Sequence, residues 1–314
     1  MFIIIEKEFS PQDIDIKDDS LHRKRSFGRV ETWYYDAVFS NNYSMAIVVN
    51  VINLGYLSYV LSGLCIYKNA KLIKEIDVRT AYKNFFGSEE KPDIKLKGQQ
   101  IIKGDIEKDT RKWVYNISMM DEKEGIDLEF IKTKKAWKGT TFLGSWLVIP
   151  RFEVTGRIFL NGNTIDVSGQ GYHDHNIYPI HAPFLNKGYH FGKFSVDSFD
   201  ITWANIKKSH NKEQLMVVLN NDQEYISINP KNISYTVDKR LEDHGKIIPA
   251  KFNIKVEDKQ LKLDVDIESI TFHHTSIPSV NYWRYHVRNT GKIQIKSVIR
   301  QIDDIEISEY LKFL

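Results

Sequence analysis

The chain has 314 residues, 42% hydrophobic and 12% aromatic, with 17 Phe, 16 Tyr and 6 Trp, which is ample apolar surface for a packed core and excludes a disordered protein. Its 44 basic and 41 acidic side chains interleave to a net charge of only +3, leaving no electrostatic footprint for nucleic acid. A single cysteine excludes a disulfide framework and any Cys-x-x-Cys site, and the length suits two domains better than one.

The opening MFIIIEKEFS has an apolar run too short for a signal-peptide core and no basic residue ahead of it. No later stretch approaches ~18 apolar residues, so a cytoplasmic location is expected. Helical periodicity is scarce, and runs alternating apolar and polar residues recur between Asn, Gly and Asp turns, predicting antiparallel sheet throughout. Trp33 to Phe39 reads as a strand paired with Met45 to Val51. Its aromatic stripe, Trp33, Tyr35 and Phe39, suits either plain core or the wall of a cavity. Cys65 lies in a strand-like apolar run and reads as an inert core thiol.

Val78 to Phe86 is a short helix candidate. Around Trp137, Lys132, Lys134, Lys135 and Lys138 form the densest basic run, which fits a solvated strand end and also a peripheral contact with an anionic membrane surface. The clearest hairpin joins Arg157–Leu160 to Asn163–Val167 through Asn161-Gly162, a pair that accepts the positive φ angles of a tight turn. Gly169-Gln170-Gly171 continues as strand, not helix, so it fails the context of a dinucleotide fingerprint and no cofactor is expected.

Pro179 and Pro183 flank a polar run from His181 to Gly188, which places a domain boundary there and predicts domains 1–183 and 184–314. Beyond it, Leu215–Leu219 should pair with Glu224–Ile228, and Phe252–Val256 with Leu261–Ile267 across a polar turn. Trp283–Val287 should pair with Ile293–Val298, and Ile305–Leu314 reads as a short helix or a closing strand. Evenly spaced antiparallel strands favour a sandwich or closed barrels.

Three stretches, in order, resemble the family that contains carotenoid 1,2-hydratase, its lipocalin-like relatives and some fungal enzymes of pericyclic ring closure. The first is Glu31-Thr32-Trp33-Tyr34-Tyr35-Asp36-Ala37. The second runs from Trp146-Leu147-Val148-Ile149-Pro150 through the Asn161-Gly162 hairpin to Gly169-Gln170-Gly171-Tyr172-His173-Asp174-His175-Asn176. The third is Gly188-Tyr189-His190-Phe191-Gly192-Lys193. The resemblance implies an all-β fold of two consecutive lipocalin-like antiparallel barrels, and a hydrophobic small-molecule partner of isoprenoid or related type. It also implies a Tyr-x-Asp motif, here Tyr172 and Asp174, preceded by a His-x-Trp. The matching positions read Gly144-Ser145-Trp146, so the tryptophan is present and the histidine is not.

Adding water to an isolated alkene, or cyclising or isomerising a polyene, requires a proton donor strong enough to make a carbocation and a pocket that hides it. A buried Asp174 fits the donor, since desolvation favours its protonated form, with Tyr172 as partner. Aromatic faces at Trp33, Tyr172, Trp203 and Trp283 could stabilise the cation. Trp33, Tyr35, Trp146, His175 and Asn176 are the expected ligand-binding residues of the first half. His190, Trp203, Trp283 and Arg284 are those of the second.

In an extended segment Tyr172, Asp174 and Asn176 share one face while His173 and His175 share the other. Asp174 also fits an architectural role, accepting backbone N–H bonds at a strand bend with His175 closing the network. His173 and His175 mimic a zinc pair, with His181 and His190 nearby in sequence. No third ligand stands at a characteristic spacing, so no functional metal is expected and chelators should leave thermal stability unchanged. An enzyme acting on an apolar lipid, a non-catalytic carrier or sensor of one, and barrels filled by their own side chains remain the three readings.

Overall fold

The structure, a computed structural model, describes residues 9–22, 27–208, 212–277 and 280–313; the apolar start at 1–8 lies outside the described residues. Strand accounts for 73% of it and helix for 6%, and no described helix is long and apolar enough to cross a membrane. By contacts the chain divides into two compact units. One comprises Asp13–Lys138 and Gly144–Ala182; the other comprises Met1–Gln12, Gly139–Leu143 and Pro183–Leu314.

The first sheet is a nearly closed barrel. Its strands are β1 (Arg29–Phe39), β2 (Tyr43–Asn53), β3 (Tyr59–Lys68), β4 (Lys71–Ala81), β5 (Phe85–Gly87) and β6 (Asp93–Leu96). They continue as β7 (Gln99–Ile106), β8 (Trp113–Asp121), β9 (Glu124–Lys132), β10 (Trp137–Thr140), β11 (Ser145–Leu160) and β12 (Asn163–Pro179). Neighbours run β4-β3-β2-β1-β12-β11-β9-β8-β7-β6-β5, with β10 on β11, so the chain meanders except where β12 returns to close against β1. The β11–β12 turn has Asn161 at φ 52° and Gly162 at φ 75°, as the Asn-Gly pair predicts.

The second sheet is a half-barrel. After α1 (Ala182–Leu185) come β13 (Asn186–Val196), β14 (Phe199–Lys208), β15 (Glu213–Asn220), β16 (Tyr225–Ser227) and β17 (Ile233–Asp243). Then follow β18 (Lys246–Glu257), β19 (Leu261–Ile277), β20 (Val280–Ile295) and β21 (Val298–Phe313). The order is β16-β15-β14-β13-β21-β20-β19-β18-β17, which repeats the return of a late strand to the first one.

Alternation along the strands sorts the side chains. In the first barrel, Trp33, Tyr35, Ala37 and Phe39 of β1 point inward and join Tyr115, Phe130 and Phe152 in one apolar cluster. Tyr35, Phe130 and Phe152 meet edge to face at 5.5–5.7 Å between ring centres, the geometry aromatic quadrupoles favour. These rings are fully buried, so this lumen is a packed core. In the second unit Phe194, Trp203, Phe252, Trp283 and Tyr285 play the same part. Cys65 is buried within β3.

Two expectations need correction, and one left open between helix and strand is decided. Trp283–Val287 and Ile293–Ile295 do not pair with each other; both belong to β20, which runs unbroken through Gly291 and pairs with β21. Gly291 marks a close strand crossing, where a Cβ would meet the Asp264 carbonyl at 2.1 Å, and the true turn falls at Lys296, whose φ is 56°. Val78–Phe86 is not a helix. It ends β4, makes one 3₁₀ turn at Tyr82–Asn84 and enters β5. Ile305–Phe313 is the closing strand, with Tyr310 opposite His190. Two prolines sit inside strands at register shifts, Pro150 between Ile149 and Phe152 and Pro249 beside the Lys239/Arg240 shift, where a missing donor is tolerated.

The basic run is largely engaged within its own unit. Lys135 pairs with Asp13 at 3.0 Å and Lys138 with Asp18 at 2.5 Å, while Lys132 lies 4.8 Å over the Trp113 ring.

Gly188, near the start of β13, has φ 131°, and a Cβ there would lie 1.9 Å from the Leu311 carbonyl oxygen of β21. Gly188→Ala should therefore cost about 1–3 kcal/mol by backbone strain and loss of ladder pairing. Urea titration should show a clearly lower midpoint; an unchanged midpoint would mean that β13 and β21 do not meet this closely.

Candidate functional site

Strands β1 and β12 are paired without a break, Tyr34 opposite Asp174, Asp36 opposite Tyr172 and Thr32 opposite Asn176. Because side chains alternate, this places Tyr172, Asp174 and Asn176 on the face turned away from the lumen and His173 and His175 toward it. On the outward face three side-chain donors converge on Asp174. Tyr172 Oη donates to Oδ2 at 3.0 Å, Trp146 Nε1 to the same oxygen at 3.4 Å, and Asn176 Nδ2 to Oδ1 at 2.7 Å. Trp146 reaches it from β11, where it stands opposite Asn176.

The carboxylate is only 7% exposed, and aromatic rings surround it: Trp137 meets Trp146 edge-on at 5.1 Å, and Tyr34 lies 6.4 Å from Tyr172. Tyr34 Oη itself donates to Asp36 at 3.0 Å. Four residues singled out in the sequence, Trp146, Tyr172, Asp174 and Asn176, thus share one hydrogen-bonded constellation. His175 does not join it. Three donors thus meet on the two oxygens of one carboxylate.

The lumen side holds a second polar cluster. Asp19, at the end of a 3₁₀ turn capped by Asp15, accepts from both His173 Nε2 at 3.0 Å and His175 Nδ1 at 3.1 Å. His173 Nδ1 donates to the Tyr34 carbonyl at 2.8 Å. The far nitrogen of His175, Nε2, lies 2.9 Å from Glu31 Oε1, which also meets His22 Nδ1 at 3.0 Å. Burial works against charge here, but the two histidines overcome it and hold the Asp19 carboxyl well below its ordinary range. Burial likewise opposes a charged His175, yet its bonds to Asp19 and Glu31 carry it up to about 9. Trp33 stacks on His175 at 4.3 Å and Tyr35 on His173 at 3.9 Å, so these two rings wall the cluster.

In the second unit His190 lies on the lumen side of β13, its Nδ1 2.7 Å from Tyr235 Oη, with Phe252 4.4 Å and Trp203 5.1 Å away. Burial pushes its imidazole down to about 3, so it is neutral. Trp283 also faces this lumen and donates to Asp243 at 2.8 Å. Arg284 and His286 point the opposite way. Arg284 donates to Tyr282 Oη at 3.1 Å and stands opposite Glu309, and nearby Lys193 pairs with Glu306 at 3.0 Å. Of the expected residues here, His190 and Trp203 meet, and Arg284 does not share their face.

Sequence reasoning missed Asp19, His22 and Glu31. Glu31 left one trace: counted by twos from Trp33 and Tyr35, it is a charged residue on the apolar face of its strand. Asp19 and His22 left none, because they reach the lumen from a loop.

No family description and no curated protein matches the chain. Among solved structures, a candidate AttH from Nitrosomonas europaea aligns over 95% of this chain and 96% of its own, with TM-score 0.72 and 12% identity. Kievitone hydratase from Nectria haematococca aligns over 90% and 88%, with TM-score 0.65 and 11% identity. CghA, solved with Sch210972, aligns over 91% and 89%, with TM-score 0.53 and 8% identity. The chain has their fold. At such identities the likeness reaches no further, since one fold hosts many activities.

Asp304 in β21 supplies a titration test in the second unit. Burial first, and then the neighbouring Glu306, push its carboxyl up to about 7, against the bond it accepts from Ser195 N at 3.0 Å. Below about pH 4 both folded and unfolded chains hold this proton and it contributes nothing. From there to pH 7 the unfolded chain ionises first, so stability falls, by up to a few kcal/mol, and stays lowered above pH 7. Asp304→Asn should match the wild type near pH 4 and become progressively more stable than it by pH 8. Urea unfolding at both pH values checks this, and a pH-independent gap would refute it.

Proposed function

We propose that this protein binds an apolar, isoprenoid- or polyene-type small molecule against the outward face of β1, β11 and β12, and adds water to it, cyclises it or isomerises it by proton transfer at Asp174. The convergence of Trp146, Tyr172 and Asn176 on one buried carboxylate carries this reading. It is supported by the fold shared with kievitone hydratase and CghA.

An alkene is a very weak base, so its protonation needs a strong acid. Hydrogen bonds that stabilise the conjugate base make a stronger acid of the protonated form, and three of them await the Asp174 carboxylate once its proton has left. The resulting cation would lie beside that anion and against the faces of Trp146 and Tyr34, which are favourable surfaces for positive charge. Water captures it in a hydration and returns its extra proton to the Asp174 carboxylate; in a cyclisation an internal double bond captures it, and the new cation loses a proton to the same carboxylate. In an isomerisation the same carboxylate removes a proton from the adjacent carbon. Tyr172, holding Asp174 through Oδ2, orients the oxygen that does this. The resemblance implies a histidine two residues before Trp146, where this chain has Gly144; Asn176 donates to the other carboxylate oxygen, Oδ1.

A carrier that shelters its ligand in the lumen of the first barrel fits less well, because that lumen is filled by Trp33, Tyr35, Tyr115, Phe130 and Phe152.

Incubation with a panel of acyclic polyenes and prenylated aromatics in ¹⁸O-labelled water tests the reading. The expected result is a product carrying one labelled oxygen, or a cyclised or shifted isomer of unchanged mass. Tyr172→Phe, which removes one hydrogen bond to the carboxylate worth about 1.5–3 kcal/mol, should stay folded and lose turnover. Asp174→Asn should lose at least ~10²-fold in turnover. It should also lose about 1–3 kcal/mol of stability, since the amide turns a donor toward donors. Saturable binding of a retinoid analogue with no turnover in any case would leave a carrier; neither binding nor turnover would remove both readings.

A further inference from the structure

We propose that His22, Glu31 and His175 form a binding site for a divalent transition-metal ion, zinc being the best match, on the lumen side of the β1–β12 ladder. Their ligand atoms, His22 Nδ1, Glu31 Oε1 and His175 Nε2, all lie within 4.8 Å of one another. Two imidazole nitrogens and one carboxylate oxygen are a known three-ligand set for zinc, with the fourth position open. Sequence reasoning set a metal aside because His173 and His175 lacked a third ligand at zinc-type spacing. The fold supplies Glu31 from 144 residues away and His22 from the loop before it, while His173 turns to Asp19 and the Tyr34 carbonyl instead.

The geometry is close to what an ion requires. Tetrahedral bonds of about 2.0–2.1 Å place ligand atoms roughly 3.3–3.4 Å apart. Glu31 Oε1 stands 3.0 Å from His22 Nδ1 and 2.9 Å from His175 Nε2, so the set must open by a few tenths of an ångström. His22 can give this, since its side chain is 35% exposed. Its backbone N–H, bonded to Glu31 Oε1 at 3.0 Å, keeps the loop at the carboxylate meanwhile.

The surroundings are those of a metal ligand. Asp19 Oδ1 accepts from His175 Nδ1 at 3.1 Å, the carboxylate–histidine arrangement that fixes a ligating ring and leaves its other nitrogen to the ion. Trp33, stacked on the same ring at 4.3 Å, prevents it from rotating away. A small cavity with room for about one water adjoins two of the three ligands, His22 and Glu31, beside Arg29 and Asn53. In the metal-free form the nitrogen of His175 and the oxygen of Glu31 share a proton, which an ion would displace. The cluster lies on the opposite face of the sheet from Asp174, so the proposal stands or falls independently of the one above.

The test uses full-length protein stripped with EDTA and desalted, titrated with zinc chloride by calorimetry. One equivalent should bind with Kd in the micromolar range or tighter, and saturation should raise Tm by a few degrees through mass action. His22→Ala, a change at a part-exposed position, should keep the fold and weaken binding at least ~10-fold. His181→Ala, an exposed histidine outside the cluster, should change nothing. Cobalt(II) added to the unaltered protein should give the visible d–d absorption of a four-coordinate site, which requires no variant. Absence of saturable zinc binding, equal Kd in His22→Ala, or cobalt absorption typical of a six-coordinate aqua ion would each overturn the site.

Discussion

The antiparallel ladder between β1 and β12 is the constraint on which the rest depends. It pairs eleven residues from Arg29↔Pro179 to Phe39↔Gly169 with no bulge, so the alternation of side chains is never reset along its length. Each strand carries polar groups at both parities: Glu31 and Asp36 on one, His173, Asp174, His175 and Asn176 on the other. The ladder therefore divides a run of consecutive ionisable residues into two chemistries on opposite faces of a single sheet. A slip of one residue would exchange the faces, sending Asp174 into an apolar lumen and the two histidines out of it.

The two faces solve the cost of burying charge differently. On the lumen side the solution is mutual: Asp19 and Glu31 are held ionised by His173, His175 and His22, and the histidines are held in place by the carboxylates. Removing one member of such a network leaves an uncompensated charge, which is why buried ion pairs are costly to break even where they add little net stability. On the outward side the Asp174 carboxylate accepts hydrogen bonds from three neutral side-chain donors, Trp146, Tyr172 and Asn176.

The second unit repeats the topology without repeating the chemistry. Its β13–β21 ladder stands where β1–β12 stands in the first, and His190 falls on its lumen side. Here, among the described residues, Tyr235, Trp203 and Phe252 face the imidazole in place of a carboxylate, and burial keeps it neutral. Arg284, pointing the other way, stands opposite Glu309 in the β20–β21 ladder, and Lys193 pairs with Glu306 at 3.0 Å.

Much of this was legible from residues alone, because the signals were local. Alternation and Asn-Gly turns are properties of neighbours in sequence, so the all-β class, the β11–β12 hairpin and the splitting of Tyr172, Asp174 and Asn176 from His173 and His175 could be read directly. Where two local signals conflicted, the reading erred: Asn289-Thr290-Gly291 resembles a turn, but long cross-strand pairing on both sides of β20 carried the strand through it. What surrounds Asp174, and the meeting of His22 and Glu31 with His175, only the tertiary structure decided. Those contacts join residues up to 144 positions apart, or arise from a loop with no periodic pattern, and no property of one segment records which other segment will close against it.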